Sequence, residues 1–249
     1  MTTTLVLCAH PEPRSFCGQW ADATAQAAER LGHTVLRSDL CDFDAVERAE
    51  HYDEPGTPFD VLKAQERSSV TDRLPRDVSA EIEKLEAADR IILHFPLWWF
   101  APPAVLKGWF ERVLLHGRTH DVTHRFDTGR FRGRKALFCV STGADAVESG
   151  PDGKEGDTRL HLWPAAYTMR YLGFDVLEPV LVHGVHGYHQ GARKADLEMR
   201  LRSVLSDQTG LIRDFDNRPC MPFNHDADFD AEGRLRPNAP SYSPFIRRH

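Results

Sequence analysis

Short apolar runs that alternate with helix-forming segments constrain this chain more than any other feature of its sequence. The first run, residues 4–9 (TLVLCA), is continuously apolar after its first residue, as expected for a strand buried on both faces. An alanine-rich segment with helical spacing follows, and Gly32 ends it. The same alternation predicts further strands at residues 33–38, 91–95, 135–140 and 174–182, and further helices at residues 77–88, 102–115, 158–172 and 192–206.

A strand–helix unit repeated five times predicts an α/β fold, a doubly wound five-stranded parallel sheet with helices on both faces. Two strand orders are common for such sheets, that of the nicotinamide-binding Rossmann proteins and the order 2-1-3-4-5. In the second order, ligands bind at the carboxyl ends of strands 1, 3 and 4. The G-x-G-x-x-G fingerprint is absent from the sequence, which disfavours a Rossmann nicotinamide site.

The segments outside these units are polar or rich in proline. Residues 41–76 carry three prolines and are predicted to form one long connection, which is a common place for function or flexibility. Residues from about 217 onward are proline-rich and irregular in pattern. We therefore predict one domain over residues 1–210 and an irregular C-terminal extension over residues 211–249.

Charge and cysteine usage exclude several classes of protein. The chain of 249 residues has 31 Lys and Arg against 37 Asp and Glu, and this acidic balance argues against nucleic-acid binding. Five cysteines without a CxxC pair predict a reducing compartment rather than a disulfide framework. The N-terminus has no signal-peptide pattern, and the longest uncharged stretch contains three prolines and a histidine. We expect a cytoplasmic protein without membrane insertion.

The loops after strands 1, 3 and 4 carry the residues best suited to bind a ligand. We name them the first loop (residues 10–16, HPEPRSF), the aromatic turn (residues 96–103, PLWWFAPP) and the small-residue loop (residues 141–145, STGAD). The first loop precedes a helix N-terminus, which is a natural seat for phosphate. Two Trp and a Phe in a row cannot all point into one core from a turn, so we expect some of them to be exposed at the carboxyl edge. Exposed aromatic rings bind planar ligands by stacking, and small residues allow close backbone approach. Together these loops predict a planar cofactor that carries phosphate, and flavin fits best.

Other motifs are weaker. His183, His186 and His189 recur at intervals of three, but intervening glycines argue against a helix that would align them as metal ligands. The acidic residues 226, 228 and 230 lack the glycine and the closing acid of a calcium loop. No metal site is predicted.

From these loops outward, the sequence resembles the NAD(P)H:quinone oxidoreductases of flavodoxin-like fold. The resemblance covers about residues 4–205 and includes, in order, AHPEPRSF, LEAADRIILHFPLWWFAPPAVLKGWFERVL, STGA and GFDVLEP. It implies a flavodoxin-like sheet of order 2-1-3-4-5, a homodimer, bound FAD with FMN as the alternative, NAD(P)H as hydride donor and a quinone as acceptor.

The resemblance also implies roles for individual residues. The cofactor-binding set would be His10, Ser15, Phe16, Cys17, Pro96, Leu97, Trp98, Trp99, Phe100, Ser141, Thr142, Gly143, Ala144 and Arg193. Cys17 stands where the family often has Asn, and Trp98 stands where it often has Gln. Arg193 corresponds to a family arginine near the adenosine end of FAD.

The implied catalytic residues are Trp99, Ser149 and Glu155, and the implied substrate pocket contains His120, Phe126 and Tyr171. Ser149 and Glu155 occupy the places of a tyrosine and a histidine in the mammalian enzymes. Either backbone N–H groups of residues 142–144 would then stabilise charge on the reduced flavin, or Glu155 would point away from it.

The predicted mechanism is ping-pong: the nicotinamide stacks over the flavin against Trp99, transfers hydride and leaves, and the quinone takes the same site. Two alternatives remain open. One is a reductase of azo dyes, nitroaromatics or free flavin. The other is a redox-sensing regulatory subunit of a potassium-efflux transporter, for which the tail beyond Asn217 would be the partner surface.

Overall fold

One parallel sheet carries the strands, and the structure, a computed structural model, describes residues 1–248 of the chain. Within them the strands are β1 (Thr3–Cys8), β2 (Thr34–Asp39), β3 (Arg90–Pro96), β4 (Lys135–Ser141), β5 (Asp175–Val176) and β6 (Val180–Val182). Their order is β2-β1-β3-β4-β5, with β6 also paired to β4. The predicted order 2-1-3-4-5 is confirmed.

Helices cover both faces of this sheet, as predicted. They are α1 (Phe16–Arg30), α2 (Val61–Thr71), α3 (Arg76–Ala87), α4 (Ala104–Val113), α5 (Thr158–Tyr171), α6 (Gly191–Ser206) and α7 (Gln208–Arg213). Alternate residues of β3 point to opposite faces: Ile91 and Leu93 join one apolar core, while Ile92 joins the other. Side chains of α3, α4 and α5 complete the first core, and those of α1, α6 and α7 complete the second.

The prediction of one continuous fifth strand over residues 174–182 is wrong. The structure breaks it into β5 and β6, which pair with successive parts of β4. Leu177 still donates its N–H to the carbonyl of Ala136 at 2.8 Å, but the next N–H, of Glu178, donates to Pro219 instead. Pro179 has no N–H for the ladder. The chain therefore leaves the ladder after Leu177 and returns to it at Val180.

The predicted long connection over residues 41–76 contains a helix, α2, that sequence reasoning missed. Asp60 caps it by accepting a hydrogen bond from the Lys63 N–H at 3.2 Å. Its buried residues are Ala64, Gln65 and Ser68, two of which are polar. Because this buried face is small and polar, the apolar period that marks a helix is absent.

The chain beyond residue 210 packs against both cores. Phe215 is fully buried against the side of the sheet covered by α1, and Met221 lies in the other core. The N–H of Met221 donates to the carbonyl of Val176 at 2.8 Å, so this segment extends the edge of the sheet beside β5. Further along, residues 226–228 form one short 3-10 turn. The domain boundary at residue 210 stays a prediction.

Within residues 1–248, no helix has both the length and the apolar character that a membrane span requires.

Candidate cofactor and active site

The three predicted loops meet at the carboxyl edge of the sheet because β1, β3 and β4 are neighbours in register. Pro96 pairs with Ser141 across the β3–β4 ladder, and Leu97 donates its N–H to the Ser141 carbonyl at 2.8 Å. Cys17, at the start of α1, places its Sγ 3.2 Å from Ser141 Oγ. One edge thus brings together the first loop, the aromatic turn and the small-residue loop.

The first loop is folded tightly onto the N-terminus of α1. Ser15 is the N-cap, and its Oγ accepts a hydrogen bond from the Gly18 N–H at 3.1 Å. His10 accepts the Glu12 N–H at Nδ1, 3.0 Å away, and its ring lies edge-on to Trp98 with 5.4 Å between centroids. The first turn of α1 contains no acidic residue. An anion would therefore meet backbone donors and the positive end of the helix dipole there.

Two residues expected in the cofactor-binding set face inward. Cys17 is 2% exposed, and burial raises the pKa of its thiol to about 11, so it remains a neutral thiol beside Ser141. Phe16 packs against Trp20 with 5.1 Å between ring centroids. The structure places both beneath the edge, where they support the loop.

The aromatic turn is a tight four-residue reversal. Trp98 and Ala101 exchange both backbone hydrogen bonds, at 2.9 and 3.1 Å. The two residues between them, Trp99 and Phe100, have φ values of 50° and 61°. Gly, Asn and Asp dominate turns with two such left-handed residues, and bulky aromatic residues rarely adopt them.

This turn exposes its aromatic rings to solvent. Trp99 is 94% exposed, and Trp98 and Phe100 are each about half exposed, at 44% and 50%. The expectation that some of the three aromatics are exposed at the carboxyl edge is confirmed. Backbone strain costs on the order of 1–3 kcal/mol at each such residue and concentrates at functional sites. Strain and exposure together make this turn the strongest candidate for ligand contact in the described chain.

The small-residue loop is held in place by the last residue of β6 and the residue that follows it. Thr142 donates its N–H to Val182 O at 3.0 Å, and its Oγ1 lies 2.9 Å from His183 Nδ1. Burial lowers the pKa of His183, which favours a neutral ring. The Asp145 carboxylate accepts the N–H groups of Glu148 and Val147, and these bonds lower its pKa. The loop is therefore fixed, while a Cβ added at Gly143 would meet open space.

Two cavities flank Trp99. One of about 380 Å³ lies between the aromatic turn and the helix α5, and one of about 360 Å³ lies between the same turn and the loop after β6. Leu97, Trp99, Thr142 and Gly143 line both. Apolar rings with a few hydroxyl and backbone groups are the usual lining of a cofactor site. The residues present thus fit a planar ring system at the turn and an anion at α1.

The structure brings Ser149 and Glu155 to the cavity beside α5. The Ser149 carbonyl accepts the Thr158 N–H at 3.2 Å, which ties this loop to the first turn of α5. The Glu155 N–H donates to Glu148 O at 3.0 Å. A hydroxyl and a carboxylate therefore replace the phenol and imidazole that the family resemblance would lead one to expect.

The residues of the predicted substrate pocket also come together. His120 and Phe126 both contact the ring of Tyr171 edge-on, at 5.3 and 5.0 Å between centroids. His120 and Tyr171 line an apolar cavity of about 450 Å³ with Trp163 and Tyr167 of α5. Burial lowers the pKa of His120, so its ring tends to be neutral. Arg193 lies apart from this cluster, exposed in the first turn of α6.

Sequence reasoning missed four residues that line these two cavities beside Trp99: Gly156, Thr158, His161 and Val185. His161, in α5, lines the cavity with Trp99 and Phe100, and Val185 lines the cavity on the other side of the turn. His161 stands one turn from the N-terminus of a helix that begins at the carboxyl edge. That placement could have marked His161 as a site residue from the sequence, although helical spacing alone does not tell which face of α5 borders the cavity.

The family model described as flavodoxin-like fold matches residues 2–205. Mouse ribosyldihydronicotinamide dehydrogenase (quinone) is 33% identical over 217 residues, which are 82% of this chain and 92% of that protein. Rat NAD(P)H dehydrogenase (quinone) 1 is 38% identical over 200 residues, which are 78% of this chain and 73% of that protein.

A solved structure from Klebsiella pneumoniae, named as a quinone reductase candidate, superposes with a TM-score of 0.82. It is 28% identical, and the match covers 95% of both chains. The sequence matches and the structural match each span most of the chain. The chain belongs to the NAD(P)H:quinone oxidoreductase family of flavodoxin-like fold.

Proposed function

We propose that this protein is a flavin-dependent NAD(P)H dehydrogenase that reduces quinones, or similar planar acceptors, by two-electron ping-pong transfer. The bound flavin supplies the hydride chemistry, and the protein supplies orientation and electrostatics. The observation that carries the proposal is the strained and exposed aromatic turn at Trp99, set between two cavities at the carboxyl edge. The named activities of the relatives support the same reading.

In this proposal, different residues of the protein bind different parts of the cofactor. The N-terminus of α1, capped by Ser15, holds the phosphate. Pro96, Leu97 and the aromatic rings of the turn hold the flavin ring, and the backbone and hydroxyl groups of residues 141–144 bind its pyrimidine edge. FAD is the proposed flavin, because Arg193 corresponds to a family arginine near the adenosine end of FAD.

Trp99 is the proposed platform for the nicotinamide. Its ring is open to solvent on the side away from the protein, so a planar donor can stack there and then give way to the acceptor. The acceptor would also contact the apolar cavity of His120 and Tyr171, with Phe126 packed behind. A homodimer and a cytoplasmic location complete the proposal.

Flavin identification tests this proposal most directly. We expect the purified protein to be yellow, to release FAD on denaturation, and to lose its flavin absorbance when NADPH is added without oxygen. Addition of a quinone should restore the absorbance without further donor. A colourless protein that neither FAD nor FMN can reconstitute would rule the proposal out.

The donor and acceptor are tested in the same assay. NADH, NADPH and dihydronicotinamide riboside should be compared at one quinone concentration, since one relative is named for a ribosyl donor. Azo dyes, nitroaromatics and free flavin should be compared with quinones at one donor concentration. Fastest turnover with quinones supports the proposal, and fastest turnover with another acceptor favours the alternative reductase.

A further inference from the structure

His161 is the one imidazole among the residues that line the cavity between the aromatic turn and α5. It is half-buried, and its ring packs on Phe100 with 5.2 Å between centroids. The small-residue loop lies across the same cavity. In the proposed function this is the space that receives the pyrimidine edge of the flavin.

The hydride transfer proposed for this cavity leaves a negative charge that its lining must accommodate. Glu155 and His161 are the two acidic or basic side chains among its lining residues. A hydride brings two electrons and one proton, so it leaves one negative charge on the acceptor until a second proton arrives. Glu155 would oppose that charge when ionised. His161 is the lining side chain that can carry a positive charge and so neutralise the negative charge left by the hydride.

His161 is anchored for this role through one ring nitrogen. Its Nε2 lies 2.8 Å from the Glu155 carbonyl oxygen, which only accepts hydrogen bonds, so Nε2 carries the proton. Nδ1 then remains to take a second proton while the anchor is kept. Gly156 makes room for the ring: its φ is 78°, and a Cβ there would stand 3.0 Å from Nε2.

We propose that His161 is the residue that holds and delivers the proton in this site. The inference rests on the proposed function. Over a full cycle NAD(P)H, one proton and the quinone yield NAD(P)⁺ and the hydroquinone. His161 takes that proton from solvent at Nδ1 and balances the negative charge left by the hydride. It then delivers the proton to the hydroquinone product, which returns the imidazole to its neutral form. Glu155 acts through its backbone, as the anchor of the ring.

Other charged groups surround His161, and most have partners of their own. On α5, Asp157 caps the helix through the Arg159 N–H, and the Arg159 side chain pairs with Glu178. In the loop before α5, Lys154 pairs with Glu148. Across the cavity, the carboxylate of Asp145 is bound by backbone N–H groups, while His183 contacts Thr142. The aromatic turn contributes no charged side chain.

His161→Gln tests the proposal, because glutamine can still donate to the Glu155 carbonyl but cannot titrate. His33→Gln is the matched control, since His33 is half-buried at the opposite edge of the sheet, before β2. Bleaching of the flavin by NADPH is followed by stopped flow from pH 5.5 to 9. General acid–base catalysis contributes about 100-fold or more, so we expect a loss of about that size in the variant and none in the control.

An equilibrium measurement accompanies the kinetics and needs no variant to fold. The His161 imidazole of the ¹³C-histidine-labelled protein is titrated by NMR in the oxidised and in the fully reduced state. We expect its midpoint to lie at higher pH in the reduced protein, because negative charge favours the imidazolium.

The outcomes separate the two proposals. A wild-type protein that binds flavin and is bleached by NADPH, with the same titration midpoint in both states and an unaffected His161→Gln rate, overturns the role of His161 alone. A wild-type protein without flavin overturns both.

Discussion

At the scale of single residues, the backbone conformation of Trp99 and Phe100 is the most informative local feature. Both adopt a left-handed conformation that glycine would adopt without cost, yet both carry large apolar rings, of which that of Trp99 stands almost wholly in water and that of Phe100 is half exposed. Neither packing nor solvation of the isolated chain explains this arrangement. A ligand that stacks on the rings would regain apolar burial, which is why we place the turn at the centre of the site.

Trp99→Ala should weaken flavin or acceptor binding by about 1–3 kcal/mol, the range for base–aromatic stacking, or roughly 5- to 150-fold in dissociation constant. Trp99→Phe keeps an aromatic face and should lose much less. Flavin affinity measured by fluorescence quenching and the KM for the quinone check both variants. Unchanged affinity together with unchanged turnover in Trp99→Ala would contradict a stacking role.

His94 is a second residue whose environment has a measurable consequence. It is fully buried on β3 next to Trp20, and within residues 1–248 neither ring nitrogen has a hydrogen-bond partner. Burial lowers its pKa from 6.5 to about 3, so the folded protein keeps it neutral. Below pH 6.5 the His94 side chain binds a proton in the unfolded chain but not in the folded chain. The free energy of unfolding is therefore at its full value above pH 6.5 and decreases as the pH falls toward 3.

His94→Leu should remove this dependence. As the pH falls from 6 to 4, we expect the unfolding free energy of the wild type to decrease relative to that of the variant by about 1.4 kcal/mol per pH unit. Urea unfolding at pH 7.5, 6, 5 and 4 measures this difference, and the other histidines cancel because both proteins contain them. A difference that does not vary with pH would show that His94 titrates normally.

At the scale of elements, the contact between the first loop and α1 sets the geometry of the proposed phosphate seat. A Cβ at Gly18 would lie 2.1 Å from the Pro13 carbonyl oxygen, so only glycine allows the loop to lie this close to the helix. Helix propensity alone favours alanine at this position by about 1 kcal/mol. Loop geometry has therefore overridden the local preference of the helix.

Gly18→Ala is expected to destabilise the protein by about 1–3 kcal/mol, the usual cost of overpacking, and to weaken flavin binding because the loop must move. Gly210→Ala is the matched control in α7, where the nearest atom to the new Cβ belongs to the flexible Asp207 side chain. Thermal unfolding and flavin affinity check the pair. Equal effects of the two substitutions would mean that the Pro13 contact does not constrain the loop.

Elements with a strong apolar period could be predicted from the sequence, and those without one could not. The runs of β1, β3 and β4 and the helices between them were found to within a few residues, because burial on one or two faces leaves a direct pattern. The break between β5 and β6 has one local signal, Pro179, but the pairing of Glu178 with the distant Pro219 is recorded by no local pattern.

The candidate site shows the same division. The three loops could be predicted because strand order fixes where carboxyl ends meet. The position of His161 could not, since it depends on how α5 is rotated against the sheet. The left-handed conformation of Trp99 was also invisible, because the residue types there do not favour it.

At the scale of the whole molecule, the segment after residue 210 is joined to both faces of the sheet. Phe215 packs under the Arg90 guanidinium, 4.5 Å from it, and Ile212 lies beside it in the same core. Further on, Asp127 binds Arg170 of α5 and the backbone N–H of Asp226, and Phe245 stacks on Trp163 at 4.8 Å. The near part of this segment therefore completes the core, while the far part covers α5.

Two truncations should separate these contributions and test the predicted boundary at residue 210. A chain that ends at residue 222 keeps Ile212, Phe215 and Met221, and it should fold and unfold cooperatively with modest loss of stability. A chain that ends at residue 210 loses all three. Removing one buried Phe side chain costs about 3–5 kcal/mol, which is a large part of the 5–15 kcal/mol that typically stabilises a domain. We expect circular dichroism and urea titration to show that the shorter chain is largely unfolded. If its stability instead equals that of the 222-residue chain, the domain boundary lies at residue 210.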